Sequence, residues 1–119
     1  MSRIKTYTVP LTIADEGTTI SATLVPVVGT LRGLAVTAGA LDASDTYTVT
    51  ITDKLGVTVF TRGSLAESST TTIWADKYGG TNEYQPLCTP IAGPVTVTIT
   101  ASAAQNDAAV AFIVYIYFE

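Results

Sequence analysis

Few of the side chains that carry protein chemistry are present in this chain, and their spacing suits little of it. Histidine is absent from all 119 residues, which removes the commonest general base, the commonest metal ligand and every Ser-His arrangement. Cys88 is the single cysteine, so the chain closes no disulfide on itself, and no imidazole exists to activate a thiolate. Cys88 reads instead as a small, partly buried residue beside Leu87 and Pro90. A zinc site of the usual Cys and His composition has no ligand set to draw on. Carboxylates do occur in pairs, as glycoside hydrolysis requires: Asp15 with Glu16, Asp42 with Asp45, and Asp76 with Glu83. All three pairs sit in turn-forming sequence beside Gly, Ser or Asn, where Asp ordinarily caps backbone amides. Asp42, Ser44 and Asp45 offer oxygens to calcium but lack the ligand spacing and closing Glu of an EF-hand loop. Gly79-Gly80 leads into Thr81-Asn82, not into the Lys-Ser or Lys-Thr of a phosphate loop, and predicts a tight turn. The residue inventory thus predicts a protein that is not an enzyme and needs no cofactor or metal.

What remains is a group of aromatics. Trp74, Tyr78 and Tyr84 fall within eleven residues of an otherwise polar segment. Such rings cap an open core, anchor a protein contact or stack on sugars, since they bury much area with few rotors. Tyr115 and Tyr117, near the C-terminus, are the other candidates for a protein interface.

These residues must be positioned by strands, because the hydrophobic period is two almost throughout. Tyr7, Val9, Leu11 and Ile13 alternate with Thr6, Thr8, Pro10 and Thr12. Pro10 cannot donate to a ladder, which places that strand at an edge or leaves it paired on one side. After a turn at Asp15-Glu16-Gly17, Ile20, Ala22 and Leu24 alternate with Thr19, Ser21 and Thr23. A third strand runs from about Leu31 to Thr37, with Gly33 marking a bulge or a close backbone approach. Thr46 to Arg62 is a hairpin: Thr46 to Thr52 alternates without a fault, Asp53-Lys54-Leu55-Gly56 turns the chain, and Val57 to Thr61 returns. The stretch from about 63 to 92 reads as a long polar loop with a short strand hidden in Ser69 to Trp74. Regular alternation resumes at Pro94 to Ala101, and a polar turn, Ala104 to Asp107, leads to the last strand. There Val110, Phe112, Val114, Ile116 and Phe118 form one apolar face and Ile113, Tyr115 and Tyr117 the other, so that strand is central or faces a partner. No segment has a helical period. The fold class expected is all-β: one antiparallel β-sandwich of jelly-roll type, residues 1–119, with about seven or eight strands.

Composition bounds the partners. Charged residues make up 13% of the chain and apolar residues 47%, while threonine supplies about one residue in five. So low a charge is a property of interface cores, although Thr, Ser and Gly also cover a surface. The six basic residues are scattered and the net charge is −4, which argues against nucleic acid. The N-terminus has no signal-peptide pattern, and the apolar run from Ala108 to Phe118 is too short for a membrane-spanning helix.

In the order of its segments the chain resembles small proteins encoded among the head and neck genes of tailed bacteriophages. The resemblance is carried by the β segment ending in Asp15-Glu16-Gly17, by Gly29 to Leu34, and by the Thr-rich hairpin Thr46 to Gly56. It continues through Tyr84-Gln85-Pro86-Leu87, Pro90 to Gly93, and the closing strands to Tyr117-Phe118. It implies a virion structural component, a capsid decoration or cement protein bound to the major capsid protein, or else a neck, tail or baseplate part. It further implies a homo-oligomer located in the virion and made in the host cytoplasm, and it transfers no site residue. The loop aromatics leave open a different class, a carbohydrate-binding or adhesin module.

Overall fold

The computed structural model describes residues 5–23, 27–42, 45–74, 90–106 and 108–118. Nine strands occur among them: β1 (Lys5–Ile13), β2 (Thr19–Thr23), β3 (Val27–Ala38), β4 (Tyr47–Thr52), β5 (Thr58–Leu65), β6 (Thr70–Trp74), β7 (Pro90–Gly93), β8 (Thr96–Ala101) and β9 (Val110–Phe118). They form two antiparallel sheets, one in the order β1-β9-β3-β6 with β7 added beside β3, the other in the order β2-β8-β4-β5. Setting β7 aside, the two four-stranded sheets have the strand order of two interlocked Greek keys, which is the jelly roll. The sandwich fold read from the alternation is therefore the fold observed.

The alternation explains the layers. In β4 the odd residues Tyr47, Val49 and Ile51 are buried and the threonines between them half-buried. β8 repeats the pattern with Val97, Ile99 and Ala101 inward. From the other sheet, Val9, Leu11 and Ile13 of β1 and five alternate residues of β9, Val110 to Phe118, complete one continuous core. β1 stands at the end of its sheet, paired with β9 alone through a register that sets Pro10 opposite Ile113. The missing amide of Pro10 is tolerated there because an edge strand needs only one ladder.

In β3 the pairing with β9 shifts between Leu31 and Gly33, so Arg32 is an extra residue in a bulge. A bulge reverses the inside-outside parity of the residues beyond it. Leu31 and Leu34, an odd and an even position, are both fully buried as a result. The bulge anticipated from Gly33 is thus present, and it lets one long strand serve two registers. The hairpin Thr46 to Arg62 is also present as β4 and β5, and the short strand within Ser69 to Trp74 is β6.

Among the described residues, Tyr47 is the one core side chain that brings an unsatisfied polar atom with it. Its ring packs edge-to-face on Phe112 of the facing sheet, centroids 5.1 Å apart, and its hydroxyl is buried without a hydrogen-bond partner. Burial pushes this phenol above its usual value of 10.0, and Thr71, beside it but not at good bonding geometry, offsets only part of that rise. Tyr47→Phe removes the orphaned hydroxyl and keeps the ring, so we expect it to stabilise the fold by up to about 1 kcal/mol. The sign of the pH effect is set by linkage. Above pH 10 the unfolded chain loses this proton while the folded chain keeps it, so wild-type stability falls as pH rises from there. Urea midpoints taken from about pH 9 to about pH 11 should fall less steeply for Tyr47→Phe than for wild type. Parallel slopes would show that Tyr47 is not the group responsible.

Candidate interaction surfaces

Four connections gather at one end of the sandwich, and a buried glutamine ties three of them. Gln105 lies just after β8 and is fully buried. Its side-chain oxygen accepts from Asp42 N at 2.7 Å, and its side-chain nitrogen donates to Asp45 Oδ2 and to the Ala103 carbonyl, each at 2.9 Å. Its backbone joins the β1–β2 turn: Glu16 N donates to Gln105 O at 2.6 Å and Gln105 N to Gly17 O at 3.0 Å. Asp42 Oδ2 in turn accepts from Asn106 N at 2.9 Å. The β5–β6 turn joins through Glu67, whose Oε1 accepts from Leu41 N at 2.7 Å, and through Ser68 N, which donates to Gly39 O. Asp42 thus caps a backbone amide, the role that turn sequence predicts for Asp, while Asp45 holds the Gln105 side chain and Glu67 holds the Leu41 amide. Asp15 and Glu16 are exposed on the first turn of this end. No three of the described Asp and Glu residues come together as a metal-ligand group.

The opposite end is built differently. There β4 turns into β5 through Asp53–Val57. Asp53 Oδ1 accepts from Leu55 N and from Val57 N, both at 2.9 Å, and Gly56 N donates to the Asp53 carbonyl at 3.0 Å. Gly56 has φ +83°, a left-handed conformation that costs glycine nothing. The tight turn holds two large apolar side chains out in water: Leu55 is 79% and Val57 57% exposed. Sequence reading missed them, because a turn of Asp-Lys-Leu-Gly type says where the chain reverses and not what it presents. β6 also finishes at this end, with Trp74 opposite Gly33 of β3. Tyr78, Tyr84, Cys88, Asp76 and Glu83, singled out in the sequence, lie outside the described residues.

Between the two ends are two broad faces. The outer face of the β2-β8-β4-β5 sheet is almost wholly hydroxyl. Thr19, Ser21 and Thr23 lie beside Thr100, Thr98 and Thr96, which lie beside Thr48, Thr50 and Thr52. Ser21 bonds Thr98 at 2.8 Å, Thr23 bonds Thr96 at 3.1 Å, and Thr50 bonds Thr61 at 3.0 Å. Cross-strand hydroxyl pairs of this kind satisfy each other and pack their methyl groups between strands.

The outer face of the other sheet carries the two C-terminal candidates. Tyr115 sits between Thr8 and Ala35, Tyr117 between Thr6 and Gly33, and Ile113 between Pro10 and Thr37. These three outward residues of β9 are half-buried, while the fourth, Ala111, is exposed. Thr37 and Thr70 close the row toward β6 with a hydrogen bond of 3.0 Å. The structure thus brings Tyr115 and Tyr117 together on one face, with Trp74 on the far strand of the same sheet. Among the described side chains, none on either outer face is charged.

Solved structures share this architecture. A chain of the acid-stable capsid of Helicobacter pylori bacteriophage KHP30 superposes with a TM-score of 0.51 and 14% identity, covering 100% of this chain and 94% of that one. What the two have in common is the fold. A family two carbohydrate esterase from Cellvibrio japonicus superposes with a TM-score of 0.50 and 12% identity over 98% of this chain, which spans 35% of the esterase. A carbohydrate-binding module solved with β-1,4-galactotriose gives a TM-score of 0.45 at 10% identity. No protein-family model matches the chain, and no curated protein matches it in sequence.

Proposed function

We propose that this chain is a non-enzymatic structural protein of a bacteriophage virion, a decoration or cement protein that binds the major capsid protein lattice and stabilises the head. The observation that carries this reading is the distribution of charge. Among the described side chains neither broad face carries a charge, and the described charged groups lie at the ends and along β5, a distribution suited to packing among protein neighbours. A small module repeated on a lattice needs only modest contacts, since many copies acting together give avidity. The near-complete overlap with a chain of a phage capsid supports the reading, as does the order of segments in the sequence. Immunogold labelling of particles with antibody against the chain tests it. Gold spread over the heads is expected. Gold confined to necks, tails or baseplates would place the protein there instead, and unlabelled particles would end the virion reading.

On this reading the Leu55–Val57 tip is a docking element, because a turn already locked by Asp53 loses little entropy on binding. Leu55→Asp with Val57→Asp should lower attachment to heads at least about tenfold, the loss expected when a charge replaces an interface anchor. Both side chains stand in solvent, so the unfolding midpoint should not move. Attachment equal to wild type would remove the tip from the docking surface.

A second reading, a carbohydrate-binding module, is favoured by Tyr115 and Tyr117, two rings one pleat apart on the same face of β9. A glycan array with tyrosine and tryptophan fluorescence titration tests it, and a flat response across diverse sugars would dismiss it.

A further inference from the structure

The face that carries Tyr115 and Tyr117 is chemically unlike the rest of the surface, and its chemistry selects a partner. The opposite sheet covers itself with hydroxyls that bond one another and that water solvates readily. Here the central strand instead presents Ile113, Tyr115 and Tyr117, flanked by Pro10 and Ala35. Four strands about 4.8 Å apart, with side chains along roughly 25 Å of strand, give a footprint of roughly 500 Å². Side-chain relief brings its accessible area toward the roughly 800 Å² per partner that a stable interface buries. The protein as a whole is acidic, yet among the described side chains this face carries no carboxylate.

The charges at the two ends then choose the orientation. Asp15, Glu16, Asp42, Asp45 and Glu67 all belong to the end tied by Gln105. Lys5 and Lys54 are exposed at the other end, where Asp53 is the only carboxylate among the described residues. Two sheets packed face to face are related by a two-fold axis lying in the plane between them. With that axis along the strands, the acidic ends of both copies would coincide. With it across the strands, the acidic end of each copy lies beside the lysines of its partner.

We propose that this face binds a second copy of the chain, forming a two-fold dimer in which the β1-β9-β3-β6 sheets pack against each other with their strands running in opposite directions. The contact is a copy-to-copy surface separate from the Leu55–Val57 tip, and it does not depend on the virion reading.

Sedimentation equilibrium over a range of concentrations tests it with the purified chain alone. Wild type should show about twice the 12.4 kDa chain mass. Tyr115→Arg on the second strand of the sheet and, separately, Thr8→Arg beside it on the edge strand each set a charge on the face and should weaken the dimer about tenfold or more. Thr98→Arg, on the hydroxyl face, should leave it intact. Circular dichroism identifies any variant that has failed to fold, and Thr8, exposed on an edge strand, is the position where folding tolerates the change best. Dissociation should also increase with added salt, because the facing ends attract. A wild-type chain that is monomeric at about 1 mM, or a dimer that survives both Tyr115→Arg and Thr8→Arg, would overturn the proposal. A dimer that tightens with salt would overturn the antiparallel arrangement.

Discussion

Gln105→Leu is expected to destabilise the protein by about 3 kcal/mol, although the substitution preserves volume and adds apolar surface. Leucine fills the buried site, so the loss is not that of a cavity. It comes from the groups left behind. Asp42 N loses its acceptor at 2.7 Å, and Asp45 Oδ2 and the Ala103 carbonyl lose their donor. Removing one partner of a buried hydrogen bond costs the desolvation of the other, about 1–3 kcal/mol for each group that water cannot reach. The damage should be local before it is global. Because Gln105 joins the β1–β2 turn, the β3–β4 loop and the β8–β9 turn, amide exchange at Glu16, Asp42 and Asn106 should accelerate together in Gln105→Leu while the centres of β4 and β8 stay protected. A loss of less than about 0.5 kcal/mol by urea denaturation would show that the three connections hold without their common partner.

Phe112→Ala is expected to cost more, about 4 kcal/mol, which for a chain of this size lowers the melting temperature by roughly 15 °C. Phe112 is fully buried near the start of β9 and reaches across the sandwich to the ring of Tyr47. Its removal leaves a cavity between two sheets held apart by every other core residue, so little collapse can fill it. A double-mutant cycle with Tyr47→Phe separates the ring contact from the cavity. The hydroxyl of Tyr47 is the unsatisfied atom, and the space left by Phe112 gives it room to be hydrated. The stabilisation from Tyr47→Phe should therefore be smaller in the Phe112→Ala background than in wild type. Equal effects in both backgrounds would show that the cavity stays dry.

These two positions show the difference between what was legible in the sequence and what was not. Phe112 is evident from alternation, since a strand of period two declares its inward set. Gln105 is not: in the run Ala104-Gln105-Asn106-Asp107 it is one polar turn residue among several, and nothing local marks it as the one that is buried. Its partners, Asp42 and Asp45, are about 60 residues away in sequence. Capping by those carboxylates was expected in kind, but the network that joins them was not.

By itself the sequence determined the sandwich and the hairpin from Thr46 to Arg62, and it narrowed β1 to an edge or one-sided pairing and Gly33 to a bulge or a close backbone approach. Each comes from the strict two-residue period of a strand or from one residue's backbone chemistry, Pro10 lacking a donor and Gly33 lacking a side chain. The lack of histidine and the single cysteine, equally plain in the sequence, set which chemistries were worth seeking. Only the tertiary structure decided which strands are neighbours, and with that the character of the surfaces. Threonines from β2, β8 and β4 become one hydroxyl face because Thr19–Thr23 pairs with Thr96–Ala101 and not with β1. Tyr115 and Tyr117 share a face with Thr8 and Ala35 only through pairings that span most of the chain. Leu55 and Val57 stand exposed because Asp53 locks the turn beneath them. Periodicity states which side of its own strand a residue occupies, while the register between distant strands states what else is on that side.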